Sequence, residues 1–208
     1  FDHWCKGLDT EFTSGAPVKL FVMGKNIWRD EYEWPLARTK YTPFYLHSAG
    51  KANTCLGDGM LTEKPCGAEP ADHYTYDPMN PCPSDTGEPQ KMMMQDQRLL
   101  QKRPDVLVYT TPAFTEETEI TGPIYAELYA STDVLDTDFC ARIGVIRRDG
   151  SEYRLGAQLV RGRYRNGEKA EAMVPGEIYK FQIEAANTCI VLEPGEAIRL
   201  DVTSSLFP

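Results

Sequence analysis

The chain contains 208 residues, of which 41% are hydrophobic and 25% charged, and its formal net charge is −9. This length allows one substantial core, and no apolar run approaches the ~18 residues that a membrane-spanning helix needs. A nucleic-acid partner would require clustered Lys and Arg to displace counterions, so the acidic excess argues against one. We therefore exclude membrane-spanning and nucleic-acid-binding proteins.

The first fifty residues predict short elements of mixed character. The chain opens with "FDHWCKG", which packs a His, a Trp and a Cys into its first five residues. "PVKLFVMG" predicts a buried strand, and "YTPFYLHSAG" predicts a short strand that ends at Gly50. Between them, "NIWRDEYEWP" combines Trp28 and Trp34 with acidic residues. This pattern predicts either a loop or a short helix.

The segment from Thr54 to Gln97 is rich in Gly, Pro, Asp and Cys and shows little sign of regular structure. It includes three consecutive methionines, Met92, Met93 and Met94. A segment of this length with little regular structure is usually a functional loop or a disordered one. Both interpretations are open from the sequence.

From Asp105 onward the pattern is strongly β. Apolar and polar residues alternate in "EIYKFQIEA" and "AIRLDVTSS", and a period of two predicts half-buried strands, with Arg199 and Asp201 opposite the apolar face. Further strands are predicted in "DVLVYTT", "GPIYAELYAS" and "DFCARIGVIRRDGSEYRLG", where Asp149-Gly150 marks a hairpin turn. The spacing of these strands predicts an all-β fold, an antiparallel sandwich with an irregular, loop-rich N-terminal part.

Catalytic motifs are scarce. An α/β-hydrolase nucleophile requires Gly-x-Ser-x-Gly, because the serine must sit on a strained turn between strand and helix, and this motif is absent. The nearest approach is "LHSAG", in which Ser48 follows His47 at the end of a strand. We interpret Ser48 as a turn serine and assign no catalytic residue. Only His3, His47 and His73 could supply an imidazole base or ligand.

Metal-binding patterns are equally weak, and we predict neither a metal nor a cofactor. His73, Asp72, Cys66 and Cys82 could be imagined as a cluster, but their spacing matches no standard zinc arrangement. Carboxylates in "STDVLDTDF" would suit calcium, yet the pattern of an EF-hand is absent, so turn and strand capping is the preferred role. The carboxylates concerned are those of Asp133, Asp136 and Asp138.

Six cysteines are dispersed along the chain without a Cys-x-x-Cys pair. Isolated cysteines in strand-like runs usually behave as small buried hydrophobic residues. We therefore expect reduced thiols, and from them a cytoplasmic location.

Several stretches in order resemble one family. They are "FDHWCKG", "PVKLFVMGKNIWRDEYEWP", "YTPFYLHSAG", "YTYDPMNPCPSDTG", "DQRLLQKRPDVLVYTTP", "EITGPIYAELYASTDVLDTDF", "RGRYR" and "PGEIYKFQIE". Together they are similar to the C-terminal portion of the X-Pro dipeptidyl-peptidase and CocE/NonD hydrolase family. Two departures are a single Gly in "PCPSDTG", where members often have two, and the absence of the basic residues that usually follow "SSLFP".

The resemblance implies a jelly-roll β-sandwich of the galactose-binding-like type over residues 17–208, with residues 1–16 linking it to an α/β-hydrolase domain. That partner domain would carry the Ser-His-Asp triad, whose motifs are absent here, and His3 would be a linker residue. Whether the chain belongs to an enzyme depends on this partner, which would act on a small ester or on a peptide with proline near its N-terminus.

Two roles are predicted for particular side chains. Met92, Met93 and Met94 would wall the substrate pocket of the hydrolase domain, since methionines make adaptable apolar contacts; a disordered or packing loop is the alternative. Trp4, Trp28 and Trp34 would pack against that domain, although Trp28 and Trp34 could instead fill this chain's own core.

Rival functions are a free-standing carbohydrate-binding module and a structural interaction module, because fold does not fix function. Most Tyr and Phe residues fall on strand patterns that look buried or mixed, which counts against carbohydrate binding. Homo-oligomer formation is a further expectation.

Overall fold

The computed structural model describes residues 1–84 and 96–207, and these residues form ten β-strands. Two short α-helices precede the strands, α1 (Asp2–Lys6) and α2 (Glu11–Ser14). The strands of the first half are β1 (Val18–Val22), β2 (Ile27–Glu31), β3 (Tyr45–His47) and β4 (Met60–Thr62). Those of the second half are β5 (Leu107–Thr110), β6 (Thr118–Ala130), β7 (Asp138–Ile146), β8 (Glu152–Arg161), β9 (Tyr179–Leu192) and β10 (Ala197–Thr203). Short 3₁₀ helices occupy Gln97–Lys102 and Gly162–Tyr164.

Eight of the ten strands form two packed layers, and β1 and β2 form a separate two-stranded sheet. One is a six-stranded sheet with the order β3-β4-β5-β10-β7-β8, in which β4 and β5 are parallel and the other pairs antiparallel. The antiparallel pair β6-β9 faces it. The main hydrophobic core lies between the layers, where the rings of Phe139 and Phe181 are 4.5 Å apart. The predicted all-β sandwich is confirmed, whereas the jelly-roll connectivity stays a prediction.

The hairpin between β7 and β8 follows its predicted turn. Gly150 has a φ of 79°, a left-handed conformation that glycine adopts without a steric penalty. The Asp149 carboxylate accepts hydrogen bonds from the backbone N–H and the hydroxyl of Ser151. The turn residues therefore fix the register of two long strands.

Two local predictions are wrong. "NIWRDEYEWP" contains strand β2 in place of a loop or short helix, because Ile27 to Glu31 pair with β1 across a tight turn. The residues of β10 that should face solvent are largely buried, and Asp201 is fully enclosed. The 3₁₀ helix Gln97–Lys102 covers that side of the sheet, and Gln101 contacts both Asp201 and Arg199.

The N-terminal residues form the two short helices and precede the first strand of the fold. Helix α1 buries none of its residues, and Gly7 ends it in a left-handed conformation. The proposed domain boundary at residue 16 stays a prediction. Across the described residues, no helix combines the length and the apolar character that spanning a bilayer demands.

Candidate functional site

Ser48 lies at the end of β3, where its hydroxyl is committed to a carboxylate. Its Oγ donates to Oδ2 of Asp72 at 2.6 Å and accepts from the N–H of Gly50. Asp72 also accepts from the Tyr109 hydroxyl and from the N–H of Ala52. Burial and this carboxylate raise the pKa of Tyr109. Asp72 thus fastens the segment around residue 72 to the β3–β4 connection and to β5.

His47 is directed away from Ser48. Its Nδ1 lies 2.7 Å from Oε1 of Glu69, and its Nε2 lies 2.9 Å from the carbonyl oxygen of Lys64. The hydrogen bond with Glu69 and the one to the Lys64 carbonyl raise the pKa of His47, and the same ion pair lowers that of Glu69. Both ring nitrogens therefore face acceptors. Since a nucleophilic serine requires a base that removes its proton, these contacts form a structural clip and no catalytic pair.

Several of the residues considered above as metal ligands bind other side chains or differ in burial. The described part of the chain holds no group of three or more His, Cys, Asp or Glu side chains that could bind a metal ion. Asp136 is bound by Arg161 and Arg163, each with an N–O distance of 2.7 Å. Cys66 is exposed, while Cys82 is buried.

All six cysteines are free thiols in the structure. Three of them, Cys82, Cys140 and Cys189, are buried, and Cys55 is half-buried. Burial raises the pKa of Cys82 and raises that of Cys140 to about 12. A thiol with a raised pKa forms little thiolate near neutral pH, so these two are chemically inert.

The front of the β1–β2 hairpin presents an aromatic surface. Phe21 and Trp28 are cross-strand partners whose ring centroids are 5.3 Å apart. Trp28 is 70% exposed, so it does not fill this domain's own core. Next to the rings, Lys19 and Asp30 form a cross-strand ion pair of 3.0 Å. Large apolar rings exposed on a rigid hairpin are typical of an interaction surface.

The back of the same hairpin is held by charged side chains that pair around the buried Glu31. Arg29 donates two hydrogen bonds of 2.8 Å to the carboxylate of Glu119 on β6. Its Nε lies 2.7 Å from the carboxylate of Glu31, which also accepts from Arg38 at 2.9 Å. The paired guanidinium of Arg38 lowers the pKa of Glu31. This clamp fixes the hairpin on the β6-β9 layer and so fixes the direction in which Trp28 points.

The other two tryptophans occupy different settings. Trp4 on α1 is 87% exposed and contacts the ring of His3 edge-on. Trp34 is 37% exposed and precedes Pro35 through a cis peptide bond. The three tryptophans thus occupy separate parts of the chain, Trp4 on α1, Trp28 on β2 and Trp34 in the segment after β2.

Met92, Met93 and Met94 lie outside the described residues, and the structure describes only the flanks of their segment. On the N-terminal side, the N–H of Ser84 donates to the carbonyl of Phe207. On the C-terminal side, Asp96 forms a β-bridge with Tyr153 and caps the 3₁₀ helix that follows.

A buried polar cluster that the sequence did not predict anchors this helix. The side-chain amide of Gln101 donates to Glu152 at 2.7 Å and to Asp201 at 3.0 and 3.1 Å, and its oxygen accepts from Arg199 at 2.8 Å. Burial raises the pKa of both carboxyl groups. Arg142 lies 3.4 Å from Asp201 and adds a second cation. Gln101 is thus the neutral donor that separates two buried carboxylates.

The outer face of the β6-β9 layer carries two exposed aromatic residues. They are Tyr125 and Tyr129, whereas most Tyr and Phe residues on the strands are buried or half-buried, as the sequence predicts. Between them Glu127 accepts from the Tyr129 hydroxyl and pairs with Lys180 at 2.6 Å. This face therefore combines exposed aromatic rings with an ion pair.

Comparison with known proteins provides the remaining evidence. The family model of the X-Pro dipeptidyl-peptidase C-terminal non-catalytic domain matches residues 10–208. Cocaine esterase from Rhodococcus sp. (strain MB1 Bresler) is 41% identical over 220 residues, which cover 100% of this chain and 37% of the esterase.

Two solved structures share the fold. An aminopeptidase from a marine sediment Thaumarchaeota archaeon superposes with a TM-score of 0.83 at 28% identity, covering 100% of this chain and 35% of that one. An α-amino acid ester hydrolase superposes with a TM-score of 0.79 at 26% identity, covering 92% and 34%. The chain therefore spans about a third of the length of the relatives that it matches.

Proposed function

Because this chain belongs to the family of X-Pro dipeptidyl-peptidase C-terminal non-catalytic domains, we propose that it is the accessory β-sandwich of a larger serine hydrolase. One observation carries the proposal: the whole chain aligns with only 37% of an esterase. The remaining length of such a relative is where a catalytic domain would lie.

The parent protein would act on small esters or peptides. The relatives are named as an esterase, an α-amino acid ester hydrolase and an aminopeptidase, so acyl transfer to water is the common reaction. An α/β-hydrolase domain of the same parent chain would supply the Ser-His-Asp triad. This assignment agrees with the geometry at Ser48, whose hydroxyl donates to Asp72 while both nitrogens of His47 face other acceptors.

Docking on the hydrolase domain is proposed for the aromatic front of the hairpin, with Trp28 at its centre and Trp4 and Trp34 as further contacts. Large aromatic side chains dominate the energetics of protein interfaces when they become fully buried. The clamp of Arg29, Glu31 and Glu119 supports the proposal, because it holds the exposed ring in one orientation before docking.

The test is Trp28→Ser, made both in this chain alone and in the full-length parent. Trp28 is exposed here, so the isolated chain should keep its unfolding free energy to within about 0.5 kcal/mol. In the parent, the unfolding free energy of this domain should fall by about 2 kcal/mol or more, as expected when an interface aromatic is truncated. Equal effects on both proteins would contradict docking through this surface.

Pocket formation remains a proposal for Met92, Met93 and Met94, since their segment is bounded by well-anchored residues. Replacing all three by Ser in the parent should alter the ratio of kcat/KM between long and short acyl substrates. A change of roughly 10- to 200-fold is the scale for apolar pocket contacts.

A reducing, cytoplasmic location is proposed from the six free thiols, and homo-oligomer formation is retained as a proposal.

A second candidate function is carbohydrate binding, and the exposed pair Tyr125 and Tyr129 favours it. Aromatic rings beside hydrogen-bonding side chains suit neutral, polyhydroxylated ligands. Calorimetric titration of the isolated chain with neutral oligosaccharides tests this function. Binding that weakens in Tyr129→Ser would support a saccharide site, whereas no detectable binding would remove it.

A further inference from the structure

The carboxyl groups of Glu152 on β8 and Asp201 on β10 lie together beneath the 3₁₀ helix Gln97–Lys102. Each of the two residues is 2% exposed. The side-chain amide of Gln101 contacts both of them, at 2.7 Å from Oε1 of Glu152 and at 3.0 and 3.1 Å from the two oxygens of Asp201. Burying two carboxylates beside one neutral amide is unfavourable when both are ionised.

The neighbouring strand β7 leaves space for one of these carboxyl groups. A Cβ at Gly144 would lie 2.6 Å from Oε1 of Glu152 and 3.2 Å from its Cγ. The register of β7 against β8 also shifts between Ile143 and Gly144, and such an irregularity can re-aim a side chain. The backbone of β7 therefore contributes to the position of the Glu152 carboxyl group.

The described part of the chain supplies few N–H donors to the pair. Gln101 offers the two N–H groups of its amide. Nη1 of Arg199 offers one N–H to Oε2 of Glu152 at 2.9 Å, since it also donates to Oε1 of Gln101 at 2.8 Å. Two ionised carboxylates present about eight lone-pair sites. Most of these sites are thus left without a protein donor.

The buried Arg142 does not supply the missing donors. Its guanidinium is almost fully enclosed, and Nη2 lies 3.4 Å from Oδ2 of Asp201. None of its three side-chain nitrogens has a hydrogen-bond partner among the described residues. A proton on either carboxyl group would neutralise one buried charge and would add an O–H donor to a cluster that is short of donors.

The surroundings favour this protonated form. Burial raises the pKa of Asp201, and burial together with the nearby charge of Asp201 raises the pKa of Glu152 to about 7, although Arg199 opposes the shift of Glu152. Two further groups interact electrostatically with the pair, the Cys140 thiol on β7 with Asp201 and the Arg98 guanidinium, which is bound to Asp96, with Glu152.

We propose that Glu152 and Asp201 form a buried proton-binding site that controls how firmly the 3₁₀ helix is attached to the sheet. With the proton bound, one carboxyl group is neutral and the other shares the donors of Gln101 and Arg199. Release of the proton to solvent creates a second buried carboxylate, and the contacts through Gln101 weaken. The backbone N–H of Cys55 donates to the carbonyl of Gln101 at 2.7 Å, so this amide reports on the attachment of the helix.

The site lies entirely within this chain and goes beyond the proposed function. The helix begins at Gln97, on the C-terminal flank of the segment that carries Met92 to Met94. Release of the proton therefore loosens the anchor of that segment. The test below requires no hydrolase domain, so it succeeds or fails independently of the accessory role.

Carboxyl ¹³C NMR of the chain tests proton binding directly. Because the two groups interact, they titrate as a pair. A titration step near pH 7 is expected in the signal of Glu152 or Asp201. Glu63 is exposed and serves as the control, with a midpoint near the ordinary value of about 4.3. Any step above about pH 5.5 at either residue of the pair supports the site, whereas midpoints below this pH at both residues would overturn it.

Hydrogen exchange tests the link to the helix. The raised pKa means that the stabilisation is fully present below the ordinary carboxyl value of 4.5 and is lost as the pH rises through about 7. The protection factor of the Cys55 amide, corrected for the intrinsic pH dependence of exchange, should therefore fall at least about tenfold between about pH 5.5 and about pH 8.

Three variants identify the group responsible. Glu152→Gln should remove the fall in protection, because the titrating group is gone, and Glu63→Gln should retain it. Asp201→Asn provides a second route if Glu152→Gln does not fold, since the remaining carboxylate then keeps the donors of Gln101 and Arg199 to itself. All three variants keep His47, so its own titration cancels in the comparison. An equal fall in all three variants would overturn control of the helix by this proton.

Discussion

At the scale of single residues, the orientation of hydrogen bonds decides what "LHSAG" does. His47 and Ser48 are adjacent in sequence, yet they turn to different carboxylates, Glu69 and Asp72. Those partners come from a segment about twenty residues further along, so no local motif reveals them. The absence of Gly-x-Ser-x-Gly could be read from the sequence, whereas the use of both imidazole nitrogens could not.

The clip around His47 predicts a defined dependence of stability on pH. Glu69 holds the pKa of His47 above its ordinary value of 6.5, so the stabilisation is fully present below that pH and is lost as the pH rises through the raised pKa. The pKa of Glu69 lies below its ordinary 4.5, so its contribution is lost only as the pH falls through that lowered pKa. The ion pair therefore contributes most between these limits.

The measurement is the thermal midpoint of the original chain and of His47→Gln from about pH 5.5 to about pH 9. The difference in thermal midpoint between the two proteins should be largest near the acidic end of this range and should decrease as the imidazole loses its proton. His73→Gln serves as a control for general effects of losing an imidazole. A difference in thermal midpoint that stays constant across this pH range would show that the ion pair does not titrate as described.

At the scale of elements, period-two patterning predicted the strands of the second half but misjudged what covers them. Alternation places Arg199 and Asp201 on one face of β10, and that much was correct. Their burial depends on the 3₁₀ helix Gln97–Lys102, which lies about one hundred residues earlier and has no apolar periodicity to reveal its packing. Strand β2 was missed because two tryptophans and three acidic residues in "NIWRDEYEWP" obscured its pairing with β1.

Gln101 is predicted to be essential for attaching this 3₁₀ helix to the sheet. Replacing it by Leu leaves Glu152 and Asp201 without their shared donor in a buried site. Because unsatisfied buried groups carry their desolvation cost, the unfolding free energy should fall by about 2 kcal/mol or more. Gln182→Leu, on the exposed face of β9, is the control and should change it by less than about 0.5 kcal/mol.

Urea unfolding of the isolated chain, followed by circular dichroism, gives both values. Similar losses in the two variants would mean that the cluster adds nothing beyond ordinary packing. A loss confined to Gln101→Leu would establish that the buried polar cluster holds the helix, and with it the flank of the segment that carries Met92 to Met94.

At the scale of the whole molecule, the ordered series of stretches that resemble one family, from "FDHWCKG" to "PGEIYKFQIE", was more informative than any single stretch. No local motif indicated a hydrolase, yet their order predicted the family that the full-length match later showed. The same reasoning could not predict which side chains are exposed on the surface. Whether Trp28 or Tyr129 faces solvent depends on how distant strands pack, and the sequence alone does not say which face of a strand lies against the core.

The whole-molecule prediction is that this chain folds alone and catalyses nothing. Covalent acyl transfer needs a nucleophile, a base that activates it, and donors aimed at the developing oxyanion. Here the hydroxyl of Ser48 is bound by Asp72, and both nitrogens of His47 are engaged elsewhere. The core between the two layers supports independent folding, so inactivity should not reflect unfolding. Circular dichroism should report β structure while a chromogenic short-chain ester and an X-Pro anilide remain uncleaved. Turnover that persists after repurification and disappears in Ser48→Ala, with the fold intact, would contradict the accessory role and make "LHSAG" an active site.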